Sequence, residues 1–126
     1  VPEKRAGLRQ AQPERLLDWS SLVFLVVFRN RKRADIDQSA YDAEAERMEE
    51  LARAQPGFLS FKPYGSEDGE VVALSEWQDE ASARAWGRVA EHRMAQQRGR
   101  SAYYESYTLF ACADPRIHHF ARKDNE

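Results

Sequence analysis

Several residue groupings in this chain have the types that chemistry needs, and their spacing limits what each can do. Arg29-Asn30-Arg31-Lys32-Arg33 puts four basic residues into five positions, a density able to clamp phosphate. Asp35 and Asp37 follow at once, and 19 Lys plus Arg against 21 Asp plus Glu leave the chain at a net charge of -2. The run is therefore expected to be a solvated loop, and nucleic acid is not an expected partner. His118-His119 offers two imidazoles, but adjacent side chains in a polar tail bring no third ligand, so no metal site is expected. The single cysteine, Cys112, excludes an intramolecular disulfide and a thiolate zinc centre. It has no adjacent His or Asp to activate it and reads as a packed, inert thiol in a reducing, cytoplasmic setting. Glu44, Glu46, Glu49 and Glu50 with Arg47 and Arg53 read as the polar face of a helix. There is no Gly-rich phosphate loop, dinucleotide fingerprint or Ser-containing elbow.

The elements that must position any site follow from hydropathy patterning. With 126 residues, 42% hydrophobic and 32% charged, the chain has the composition of one globular domain and not of a disordered segment. The longest apolar run is Leu22–Phe28, seven residues, far short of the ~20 that span a bilayer, so no membrane partner is expected. The run leads into basic residues and not a small-residue cleavage site, which argues against export. Residues 1–20 read as an extension with one helical turn at Glu14–Trp19, residues 21–113 as the folded domain, and residues 114–126 as a polar tail carrying Ile117 and Phe120. Both ends are expected to be partly ordered at best unless they dock on a neighbour.

Within the domain, Ser21–Arg29 is β-branched and aromatic, as a strand requires. Ser39 and Asp42 resemble a capping box, after which Tyr41, Ala45, Met48, Leu51 and Ala52 repeat at helical spacing to about Ala54. Gln55-Pro56-Gly57 stops that helix, and Phe58–Tyr64 is the second strand. Gly65–Gly69 is a hairpin loop leading into Glu70–Trp77. Asp79 caps a second helix reaching Arg98, Gly99 ends it, and Tyr103–Ala113 is the fourth strand. The order β-α-β-β-α-β is the ferredoxin-like α+β arrangement, two helices on one face of a four-stranded antiparallel sheet.

Both faces of that sheet are apolar in the sequence. Leu22, Phe24, Val26 and Phe28 alternate with Val23, Leu25 and Val27; Val72 and Leu74 oppose Val71, Ala73 and Trp77; Tyr107 and Leu109 oppose Tyr104 and Phe110. Two helices cover one face only, so a second copy of the sheet in a two-fold homodimer is expected on the other, the terminal extensions being the alternative cover. The mean hydropathy of -0.77 conceals this, because the apolar residues gather in short runs.

Ala45-Glu46-Arg47-Met48-Glu49-Glu50-Leu51-Ala52, Gln55-Pro56-Gly57-Phe58-Leu59, Glu76-Trp77 with Asp79-Glu80-Ala81 and Ala85-Trp86, and Glu91-His92 with Ala95-Gln96, Arg98-Gly99-Arg100 and Tyr103-Tyr104 together resemble the antibiotic biosynthesis monooxygenase family. The resemblance covers about Leu22 to Cys112. It implies a dimeric ferredoxin-like barrel and cofactor-independent oxygenation of a small aromatic or quinol-like molecule, with a non-catalytic ligand-binding homodimer as the alternative. Oxidative haem breakdown also occurs in the family. Haem-degrading relatives carry a tryptophan at the place of Trp86 and an axial histidine ten positions later, where this chain has Gln96, so haem is not an expected cofactor.

The resemblance also directs attention to Asn30, the nearest match to a polar amide at the end of the first strand in relatives; a loop position is the alternative. Trp86, His92 and Asn30 are the expected catalytic residues. Trp77, Tyr64, Tyr104 and Tyr107 are candidate aromatic walls for the substrate, and Arg88, like His92, is a candidate for holding a phenolate. Each has an ordinary packing role as well. A continuous second helix would put Trp86, Ala83, Ala90 and Met94 on one face, with Val89 at its edge. His92 would lie more than about 100° from Trp86, at the solvent edge or lining a cleft, with the edge favoured.

Overall fold

The computed structural model describes residues 23–123. The expected extension with its turn at Glu14–Trp19, the strand residues Ser21 and Leu22, and residues 124–126 lie outside the described residues. Four strands, β1 (Phe24–Lys32), β2 (Phe58–Gly65), β3 (Val71–Trp77) and β4 (Tyr104–Ala113), form one antiparallel sheet in the order β2-β3-β1-β4. This is the ferredoxin-like α+β arrangement expected from the sequence.

Helix α1 (Gln38–Arg53) starts two positions earlier than the capping-box reading implies: Asp37 is the N-cap, its carboxylate accepting from the Ala40 amide at 3.0 Å. An Asp cap satisfies an otherwise orphaned helical N–H. The buried stripe also shifts. Ala45 is exposed while Glu44 is half-buried, because Glu44 turns inward to pair with Arg98. The stop at Gln55-Pro56-Gly57 holds: Gly57 has φ +84°, and a Cβ there would collide with Ser82. Its carbonyl accepts from the Gln78 amide at 2.7 Å, tying the end of α1 to the junction after β3.

The continuous second helix is not observed. Asp79 caps it as expected, accepting from the Ser82 amide at 2.8 Å, but α2 (Glu80–Gly87) ends and α3 (Ala90–Arg98) begins again after an extended Val89, φ -61° and ψ 129°. Gly87 and β-branched Val89 are poor helix interiors, so the break falls where propensity is weakest. It resets the helical phase, and Met94 ends 56% exposed instead of packed. Gly99 ends the α-helical turns only to open a π-helical turn, Gly99–Tyr103.

Two irregularities override strand alternation. Phe58 pairs with Trp77 and Ser60 with Glu76, so Leu59 is an extra residue in β2. On β4, Tyr107 pairs with Asn30 and Tyr104 with Lys32. Asn30 and Lys32 share a face, so the bulge brings Tyr104 and Tyr107 onto the same side, not the opposite sides their spacing implies. The core lies under α1 and α2: Phe24, Ala52 and Trp77 are buried, with Val26, Phe58, Ala83 and Trp86 packed against them. On the far face Leu25, Val27, Val72 and Leu74 are half-buried and Phe110 is exposed.

Candidate functional site

The helix-covered face carries two groups of side chains with chemical capacity. The first sits where β3 runs into α2. Trp77, 1% exposed, meets Phe58 edge-on at 5.4 Å and stacks on Trp86 at 6.4 Å. Its indole N–H donates to the Ser75 hydroxyl at 3.2 Å, so its one polar atom is satisfied inside the core. His92 stacks on Trp86 at a centroid distance of 4.1 Å with 14° between planes.

This placement corrects the solvent-edge reading of His92. The break at Arg88-Val89 swings α3 so that the His92 ring reaches back six residues, where Nδ1 lies 2.9 Å from the Trp86 carbonyl. A carbonyl can only accept, so Nδ1 carries the proton, and the lone pair of the neutral ring is on Nε2. Burial pushes the His92 pKa down, and the Trp86 carbonyl bond partly opposes that. A half-buried imidazole held neutral with Nε2 unprotonated is a proton acceptor near neutral pH.

The second group lies toward the other end of β1. Asn30 is not in a loop: β1 runs on through Lys32, and Asn30 is 3% exposed. The basic run is therefore strand, and its members part by alternation. Arg29 pairs with Glu70 at 3.7 Å and Arg31 with Asp68 at 2.8 Å on the far face; beyond the strand, Arg33 pairs with Asp35 at 3.6 Å. Lys32 turns inward. Its ammonium donates to Asn30 Oδ1 at 3.1 Å and lies 4.9 Å from the Tyr41 ring centroid and 5.9 Å from that of Tyr104. The Tyr41 and Tyr104 hydroxyls are 3.2 Å apart, and Phe28 meets Tyr104 and Tyr107 at 5.3 and 5.2 Å. Burial first, and Tyr41 second, push the Tyr104 pKa well above the ordinary phenol range, so its hydroxyl keeps its proton.

The predicted residues are thus divided. Trp77, Trp86 and His92 form one stack, with Trp77 inside the core; Asn30, Tyr104 and Tyr107 belong to the other group. Six residues of β1 separate Phe24, opposite Trp77, from Asn30, about 20 Å along the strand. Tyr64 pairs with Val72 on the far face, 51% exposed under Lys62. Arg88 is exposed at the C-cap of α2. Gln96 is exposed on α3, and an amide there supplies no axial imidazole. Lys32 and Tyr41 were absent from the sequence-derived set; the signal was Asn30 and Lys32 continuing the two-residue period of Phe24, Val26 and Phe28. Among the described residues, no group of His, Cys, Asp and Glu is arranged to hold a metal. No helix among them is long and apolar enough to cross a membrane.

The family model for antibiotic biosynthesis monooxygenases matches residues 23–98, which contain both groups except Tyr104 and Tyr107. Among curated proteins, the uncharacterized protein YqjZ of Bacillus subtilis is 32% identical over 103 residues, covering 82% of this chain and 89% of that protein. A jasmonate monooxygenase of Pyricularia oryzae is 33% identical over 89 residues, 69% of this chain but 41% of the fungal protein. Among solved structures, SnoaB from Streptomyces nogalater, a cofactor-independent oxygenase, superposes with a TM-score of 0.64 at 14% identity, covering 75% of this chain and 95% of that one. At that identity the likeness is one of fold. The matched length, with a relative aligned over most of both chains, settles the family: this chain belongs to the antibiotic biosynthesis monooxygenases.

Proposed function

We propose that the chain oxygenates a small aromatic or quinol-like compound without a metal, flavin or haem, with His92 as the base that starts the reaction. One observation carries the reading: the neutral imidazole bonded through Nδ1–H to the Trp86 carbonyl, which leaves the Nε2 lone pair as acceptor. His92 Nε2 takes the acidic proton of the substrate, and the conjugated anion passes an electron to dioxygen. The resulting radical pair forms the new C–O bond, and the hydroperoxide loses water to leave a carbonyl. One oxygen atom stays in the product, the other leaves as water, and the substrate supplies all the electrons. Trp86 fixes the imidazole plane and limits water around it. Membership of a family that includes a named jasmonate monooxygenase, together with a fold neighbour described as a cofactor-independent oxygenase, supports this chemistry. The exposed amide of Gln96 speaks against haem as the substrate.

The working unit in this reading is a cytoplasmic homodimer; the dimer is supported by the apolar far face of the sheet, where Leu25, Val27, Val72 and Leu74 have no covering helix among the described residues. Oxygen uptake with a panel of hydroquinones tests the catalytic claim. Uptake above the buffer rate, lost in Trp86→Ala and in His92→Gln, is expected. Saturable binding of panel members with no uptake would overturn it in favour of a non-catalytic ligand-binding dimer.

A further inference from the structure

Among the described residues, Lys32 is the one member of the basic run without a carboxylate partner, although Arg29, Arg31 and Arg33 each have one. It is also half-buried, where an ammonium is disfavoured unless something answers its charge. Its hydrogen bond to Asn30 Oδ1 and its position over the Tyr41 and Tyr104 rings lower that cost without neutralising it. Asn30, nine-tenths and more buried, spends its carbonyl on Lys32 while its amide N–H₂ has no protein acceptor among the described residues. In the Tyr41–Tyr104 pair one hydroxyl donates to the other, and the acceptor's own proton remains to be given outward. Lys32, the Asn30 amide and one hydroxyl of the tyrosine pair therefore each keep a donor that no protein acceptor among the described residues takes. The cluster opens at Tyr107, which is 41% exposed.

The geometry points to a binding site for the carboxylate of an aromatic acid, with Lys32 as the charge partner, Asn30 and the Tyr41–Tyr104 pair as flanking donors, and Phe28 and Tyr107 against the ring. A carboxylate is planar, accepts at both oxygens and so can take several of these donors together. The protein keeps these groups in place from three directions. The β4 bulge presents Tyr104, α1 presents Tyr41, and Gly99 lets the π-turn approach so closely that a Cβ there would lie 2.8 Å from the Tyr104 ring. This deepens the oxygenase reading by naming the charge of the compound bound, and it rests on that reading only for the identification of that compound with the substrate.

Calorimetric titration under nitrogen, with the full chain and no turnover, separates the two. The probes are 2-naphthoate and its neutral isostere 2-naphthamide. The site predicts that naphthoate binds about 10-fold or more tightly than the amide, the advantage of one charge-assisted hydrogen bond. Lys32→Met should erase that preference, and Lys62→Met, which removes a charge on the far face, should preserve it. Equal binding of the two probes by the native chain would overturn the proposal, a result that needs no variant to fold. So would loss of the preference in both variants alike, which would mean general charge attraction. Hydroquinone-dependent oxygen uptake surviving either of those results would leave His92 as the base and remove only the carboxylate site.

Discussion

The stack of Trp77, Trp86 and His92 and the cluster of Asn30, Lys32, Tyr41 and Tyr104 lie on the same face of one sheet, yet they solve opposite electrostatic problems. In the stack, burial acts on a lone imidazole and keeps it uncharged. In the cluster, the half-buried Lys32 ammonium meets an amide oxygen and two aromatic faces. The difference lies in what each environment offers a positive charge. Around His92 the described partners are an indole face and a carbonyl already used by Nδ1; around Lys32 they are a carbonyl oxygen and two electron-rich rings. One end is therefore suited to removing a proton and the other to holding an anion.

The contrast can be broken from either side. The largest expected effect is on folding: Trp77→Ala empties the centre of the core under the stack and should cost about 3–5 kcal/mol, read as a lower denaturation midpoint with an unchanged slope. Next, His92→Gln keeps a donor for the Trp86 carbonyl but removes the base, and should lower the rate of hydroquinone oxidation ~100-fold or more while leaving 2-naphthoate binding intact. A loss of naphthoate affinity in that variant would show that the two ends are not separate.

Smaller again is Gly99→Ala, whose added methyl presses on Tyr104. It should cost about 1–3 kcal/mol, as overpacking does, and weaken naphthoate binding without altering the acid limb of the pH–rate profile. The smallest effect is that limb's position. Because the folded state holds the His92 pKa below the ordinary imidazole value of about 6.5, the unfolded chain binds the proton more readily. Stability attributable to His92 is full above that value and declines as pH falls from it through the folded pKa. The acid limb of kcat/KM should share that sub-6.5 midpoint and vanish in His92→Gln.

Local signals made much of the fold legible. The Asp79 cap, the Gly57 stop and the hairpin after Gly65 each depend on a few adjacent residues, and the structure has all of them. What escaped was non-local. The reading of His92 extrapolated one helical phase across Arg88-Val89, whereas the chain breaks there and His92 bonds back to Trp86. Tyr104 and Tyr107 were assigned to opposite faces because the bulge that joins them is set by pairing with Arg31 and Lys32 on another strand. Lys32 was hidden by the charges beside it. Its neighbours' partners, Asp68 and Glu70, reveal that Lys32 has no carboxylate of its own among the described residues. Trp86 and Asn30, by contrast, were found through likeness to relatives and not through spacing, and the sequence had no means of separating them by the length of a strand.

The protonation state of His92 is the claim on which the catalytic account depends, and nitrogen-15 spectra of histidine-labelled protein read it directly. The His92 signals, assigned against His92→Gln to distinguish them from His118 and His119, should at pH 7 show a neutral ring with the proton on Nδ1 and a pyridine-type Nε2. A protonated Nε2, whether in the other tautomer or in an imidazolium, would leave no lone pair for the substrate's proton and would contradict the account.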